Sequence, residues 1–182
     1  MDINTNTLFN HKTEIVSQRI KALPPLVETG QEIIAILSDE KLFAKLGYGQ
    51  IEAIVRIEDG YEIRTEKATV QVHVEYLPKD DCLGPLQFAL HFDDPIQNSS
   101  GKFQALPPGV QSSREIMAIL SDERLYQLLG AGEPIESLVK TEDGYKIRTE
   151  RHTLQVHVHY VPNAECCGPA KFVLAFDDPV PN

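Results

Sequence analysis

Two periodicities divide the chain. From Ile51 to Ile57 the odd positions are apolar, and after Glu58-Asp59-Gly60 the alternation resumes at Tyr61 and Ile63. Such period-two patterning predicts half-buried strands. A three-residue loop ending in glycine, which can take the left-handed bulge position, would set Ile57 opposite Tyr61 and Val55 opposite Ile63. A two-residue Asp-Gly loop would put Val55 against Arg64 and is rejected. Val70, Val72, Val74 and Tyr76 form the next apolar row with opposite parity, which requires a turn or bulge within Glu66 to Thr69. A last strand, Leu86 to Asp93, turns Phe88, Leu90 and Phe92 inward and follows a loop containing Cys82-Leu83-Gly84-Pro85.

Upstream of these strands the spacing is helical. Ile33, Ile36 and Leu37 form one apolar group and Leu42, Phe43 and Leu46 another. Ser38-Asp39-Glu40 between them resembles a second helix start, so a break near Ser38 is expected. Thr29 followed by Glu32 has the pattern of a capping box, in which hydroxyl and carboxylate satisfy free backbone donors. Gly47 supplies the left-handed residue that ends the helix.

The same text is then written again. Leu23-Pro24-Pro25 returns as Leu106-Pro107-Pro108, and Ala35 to Glu40 returns as Ala118 to Glu123. Ser112, Glu115 and Gly130 repeat the cap and stop signals. After one inserted residue, Pro134, Gln71-Val72-His73-Val74 matches Gln155-Val156-His157-Val158, and Phe92-Asp93-Asp94-Pro95 matches Phe176-Asp177-Asp178-Pro179. Roughly 43 of 74 aligned positions are identical, which points to a tandem duplication and predicts one fold for both copies. The expected organisation is an N-terminal tail and helix over 1–22, repeat 1 over 23–96, a linker over 97–105 and repeat 2 over 106–180. The predicted fold class is α+β: each copy is a helix plus a three- or four-stranded antiparallel meander. A unit of about 75 residues buries only a limited core, so the copies are expected to pack together with pseudo-twofold symmetry.

Composition narrows the function. Lys and Arg number 17 against 27 Asp and Glu, a formal net charge of -10. That field repels phosphate backbones and anionic headgroups, and no basic stripe opposes it locally, so neither nucleic acid nor a membrane is an expected partner. The longest aliphatic run, Ile33 to Leu37, is far too short to span a bilayer, and the N-terminus lacks a basic region followed by an apolar stretch. Cys82, Cys166 and Cys167 are odd in number, and the last two are neighbours that bridge each other only with strain. They read as reduced thiols in a cytoplasmic protein.

Five of the six histidines lie in the strand-rich parts. On repeat 1, Gln71, His73 and Glu75 share the face opposite Val72 and Val74, and the register that keeps Phe88, Leu90 and Phe92 inward sets His73 beside His91 and Gln71 beside Asp93. On repeat 2 that face holds Gln155, His157 and His159, a His-x-His spacing suited to a metal, zinc being the ion such ligands prefer. The plainer reading is a solvated polar face, and the repeat favours it, because Glu75 becomes His159 and His91 becomes Ala175. Cys82 and Cys166 stand too far along the strand from His73 and His157 to form dyads. Asp93-Asp94-Pro95 reads as a strand stop and Arg64 as part of a surface ion-pair row with Glu62 and Glu66. No phosphate loop, nucleophile elbow, His-Glu-x-x-His or Cys-x-x-Cys occurs.

These features predict a non-enzymatic interaction or adaptor protein, without a required cofactor, that offers a polar sheet face or a groove between copies to a protein partner; self-association is compatible with it. The second reading is a small-ligand or zinc protein with its site where the copies meet, around His73, His91, Gln71, Glu75, Gln155, His157 and His159.

Overall fold

The computed structural model describes residues 23–47, 49–77, 87–98, 108–161 and 171–182. The expected N-terminal helix, most of the linker, the start of the Leu86 strand and all three cysteines lie outside these residues.

Among the described residues the fold is α+β: four helices and a ten-stranded antiparallel sheet. Helix α1 (Pro25–Ser38) starts at the second proline of Leu23-Pro24-Pro25, because a proline at the first helical position loses no hydrogen bond and has its φ already set. The helix breaks where expected. Asp39 has extended backbone, and its side chain accepts from the Lys41 N–H to open α2 (Glu40–Leu46). Gly47 closes α2 at φ 68°, a region that costs a residue with Cβ but not glycine. In the second half α3 (Pro108–Leu120), α4 (Glu123–Leu129), Asp122 and Gly130, at φ 70°, repeat this arrangement.

The strands are β1 (Ile51–Ile57), β2 (Gly60–Thr65), β3 (Ala68–Tyr76), β4 (Phe88–Phe92) and β5 (Ile96–Gln97), then β6 (Ser137–Lys140), β7 (Gly144–Arg148), β8 (His152–Val161), β9 (Lys171–Phe176) and β10 (Val180–Pro181). Their order runs from β9 and β10, both on β8, through β7, β6, β1, β2 and β3 to β4 and β5, both on β3. Each half is thus a four-stranded meander with a short fifth strand. Asp93-Asp94-Pro95 interrupts the edge without ending it, since β5 resumes against Ala68 and Thr69. The side chain of Asn98 donates to the Thr65 carbonyl and carries the first half two residues past its expected limit. Asn182 does the same at Thr149.

The first hairpin differs from the sequence expectation. Ile57 pairs with Gly60, Arg56 with Tyr61 and Val55 with Glu62, so the loop is Glu58-Asp59. Gly60 lies in the strand, not in a left-handed bulge. Its Cα is pressed against β3, where an added Cβ would sit 2.0 Å from the Val72 carbonyl oxygen, and Gly144 meets Val156 at the same distance. The glycine is needed for close strand approach. An irregularity between Ile51 and Ala53 then shifts parity. Ile51 and Ile54 face the core, while Ala53, Val55 and Ile57 turn to the other face. The second parity change falls at Glu66-Lys67, within the expected window, where Thr65 Oγ1 and Ala68 exchange hydrogen bonds.

The halves join edge to edge. Ile54 stands opposite Leu138, with Ala53 opposite Val139 on one side and Val55 opposite Ser137 on the other. The helices cover one face, and a single apolar cluster runs through both halves, from Leu26, Ile33, Tyr61 and Val72 to Ile116, Tyr145 and Val156.

Thr29 and Ser112 are not caps. Both lie inside helices that begin four residues earlier, and they reach across the junction: Thr29 Oγ1 accepts from Ile135 N–H at 3.1 Å and Ser112 Oγ from Ile51 N–H at 3.2 Å. Thr29→Val and Ser112→Ala should each cost roughly 1–3 kcal/mol by leaving a buried N–H without its acceptor, measured by denaturant unfolding. Gly60→Ala should cost at least about 2 kcal/mol, because the backbone of β3 must move; an unchanged melting temperature would contradict this account of the hairpin.

Candidate functional site

The fold places two sealed carboxylates on the helix side of the sheet, and two clamped imidazoles with an apolar stripe between them on the other. Glu32 and Glu115 come from the helical faces that bury Ile33 and Ile116. Neither closes a capping box. Glu32 accepts from Tyr61 through Oε2 and from Tyr76 through Oε1. Glu115 accepts from Tyr145 at 2.7 Å and from Tyr160, and Gln111 donates to it at 3.2 Å. Lys140 Nζ lies 3.6 Å from Glu115 and 4.8 Å from the centre of the Tyr145 ring.

Burial and then the neighbouring carboxylates push the phenols of Tyr61, Tyr76 and Tyr145 far above their ordinary range, and Tyr160 moves the same way. The phenols therefore stay protonated and serve as donors. Each set is a latch between helix and sheet. Sequence reasoning missed it, although Glu32/Glu115, Tyr61/Tyr145 and Tyr76/Tyr160 occupy matching places in both halves.

The imidazoles lie on the opposite face. His73 Nδ1 is 2.7 Å from Asp59 and Nε2 3.3 Å from Asp93. His157 repeats this with Asp143 at 2.6 Å and Asp177 at 3.2 Å. The aspartates come from the β1–β2 and β6–β7 turns and from the edge-strand interruptions. Asp59 and Asp143 were the partners overlooked in the sequence, and their shared place in Glu-Asp-Gly-Tyr was the available signal. Both histidines titrate above the ordinary imidazole value, His73 chiefly through its bond to Asp59 and His157 chiefly through Asp177. Hydrogen bonds to the charged form favour it.

The remaining predicted residues form no shared site. His73 pairs with His91 as expected, and His91 Nε2 lies 3.0 Å from Glu75. Gln71 reaches Glu62 at 3.5 Å and Gln155 donates to Thr141 at 2.8 Å. His159 stacks on His157 at 6.1 Å between ring centres. The two groups do not meet, because β3 and β8 are five strand spacings apart in one sheet, about 24 Å. Among the described residues no set of three or more His, Cys, Asp or Glu side chains could hold a metal ion. Asp93 and Asp94 diverge, the first to His73 and the second to Lys45 at 2.9 Å.

Between the imidazoles lies an apolar stripe. Ala53, Val55, Ile57 and Val139 share the face away from the helices, Ala53 buried, Val55 and Ile57 half-buried and Val139 39% exposed. Glu62 and Arg64 flank it on one side, their side chains paired at 2.5 Å, and Lys146 and Arg148 on the other. At one end a groove of about 500 Å³ is lined by Val55, Arg56, Ile57, Pro134, Glu136, Ser137 and Arg148. Among the described residues no helix is long and apolar enough to cross a membrane. Comparison with protein-family models, with curated proteins and with solved structures found no match.

Because the folded state raises the affinity of His73 and His157 for protons, their stabilising contribution is complete below the unfolded imidazole pKa of about 6.5. It is lost as pH rises through the raised folded values. The double variant His73→Gln, His157→Gln should flatten the pH dependence of the melting temperature above about pH 6, and NMR titration of the wild type should place both imidazoles above 6.5. At the latch, Tyr76 offers one hydrogen to Glu32 and to Glu28, 2.5 Å away, where the second half has Gln111. Glu28→Gln should raise the melting temperature by relieving that competition.

Proposed function

We propose that this chain is a non-enzymatic interaction protein built by tandem duplication of one α+β unit, with its copies related by a pseudo-twofold axis through the Ile54–Leu138 pair. The β1–β6 register supports the symmetry. Counting through the Pro134 insertion, Ala53 corresponds to Ser137 and Val55 to Val139, so the pairs Ala53–Val139 and Val55–Ser137 are the same contact seen from either copy. The crossed bonds of Thr29 to Ile135 and Ser112 to Ile51 are related in the same way.

The partner is a protein, and its surface is the open sheet face. The apolar stripe carries this reading. It lies at the centre of the molecule, on a face that the helices do not cover, and it is rimmed by charged side chains. An apolar centre within a polar rim is the general anatomy of a protein interface. Of the imidazoles on this face, His73 and His157 are held by aspartates and His91 by Glu75, which suits a recognition surface better than a reaction centre. An odd number of cysteines, two of them adjacent in sequence, fits reduced thiols and a cytoplasmic setting.

A second reading keeps a small ligand at the junction, because the groove between Ile57, Pro134 and Arg148 lies where the copies meet. Its metal version, zinc, finds no set of three ligands among the described residues, and elemental analysis of unchelated protein with the thermal shift on added zinc tests it. Absence of both would remove it.

The double variant Val55→Lys, Val139→Lys should leave the far-UV circular dichroism unchanged and lose a stoichiometric partner that the wild type captures from native extract. Capture by both proteins alike, or turnover of a metabolite by purified protein, would overturn the interaction reading.

A further inference from the structure

The surface through which the halves meet does not encode that they belong to one chain. Its centre is the Ile54–Leu138 pair, and the neighbouring pairs repeat with the halves exchanged. Each half supplies one hydroxyl acceptor and one backbone donor to the other, through Thr29 and Ile51 on one side and Ser112 and Ile135 on the other. Helices α1 and α3 touch alongside, with Ser38 Oγ 3.6 Å from Met117 Sδ. A patch in which each side both gives and receives the same contacts is self-complementary, as in a twofold dimer. Only the tether over residues 99–107 makes the pairing internal.

We propose that this surface takes a second copy of the chain. Two chains exchange halves, the first half of each pairing with the second half of the other along β1 and β6, to give a dimer of two complete ten-stranded bodies. Every contact between the described residues of the two halves recurs in that dimer. The balance between the two forms is therefore set by the tether, which holds its own second half at an effective concentration on the order of millimolar. At micromolar protein the monomer dominates. When the tether cannot close, or when refolding takes place at high concentration, the exchanged dimer forms. The open sheet face stays open in either form, so this inference stands or falls separately from the partner reading.

The tether length supplies the test. The chain leaves the first half at β5, beyond β3, and enters the second at α3, which packs against β1. Asn98 is held at the Thr65 carbonyl, and Thr65 stands opposite Ile51 at the start of β1, so the tether must cross at least one strand spacing, about 5 Å, and then climb to the helix layer. Deleting residues 99–107 joins Asn98 directly to Pro108, whose Cα atoms can then be only about 3.8 Å apart. Internal closure is then impossible.

The shortened chain should elute at twice the monomer mass, measured by light scattering, with an unchanged far-UV spectrum. To locate the contact, Val55→Cys and Ser137→Cys, opposite each other in the ladder, are introduced with Cys82, Cys166 and Cys167 replaced by serine. Oxidation should link two chains in the shortened protein and close a loop within one chain at full length. A folded monomer after the deletion, or an intrachain link in it, would overturn the proposal. If the shortened chain does not fold, the full chain decides: refolding from denaturant at increasing protein concentration should raise the dimer fraction, and monomer alone up to the solubility limit would overturn it.

Discussion

The pairing of β1 with β6 is the constraint on which the rest of the molecule depends. Each half has a sheet of moderate width and one kinked helical segment, a small amount of apolar surface for a stable fold. Joining the two edges removes the most exposed backbone row from each and places α1 against α3 over a common core. Edge strands are open to unwanted pairing. Here the two inner edges satisfy each other, and the outer edges are broken by Asp93-Asp94-Pro95 and Asp177-Asp178-Pro179, where the ladder stops and restarts.

Buried polarity is used sparingly, at points where helix meets sheet or half meets half. Glu32 and Glu115 are surrounded by donors, so a charge that would be costly in an apolar core is hydrogen-bonded on both oxygens. Ser112 satisfies the backbone at the start of β1 and Thr29 does so just before β6. These polar groups fix the placement of helices that apolar packing alone would leave free to slide.

Among the described residues those structural commitments leave one large surface without an internal role. The face opposite the helices carries aspartate-held imidazoles on β3 and β8 and an apolar stripe between them. The stripe exists because the irregularity after Ile51 turns Ala53, Val55 and Ile57 away from the core. A feature of backbone register thus creates the surface that supports the interaction reading.

The sequence by itself determined whatever depends on near neighbours. The break at Asp39, the glycine stops at Gly47 and Gly130, the parity change near Glu66 and the pairing of His73 with His91 all follow from local spacing and a two-residue period. What the tertiary structure decided concerns contacts distant along the chain. Gly60 belongs to a strand because β3 crowds it, which no local turn rule contains. Thr29 and Glu32 have the spacing of a capping box, yet their partners, Ile135 and Tyr61, are 106 and 29 residues away. Whether His73 and His157 share a site depended on the halves joining edge to edge and not face to face. Period-two patterning says that a strand has two faces; only its neighbours decide which of them is buried.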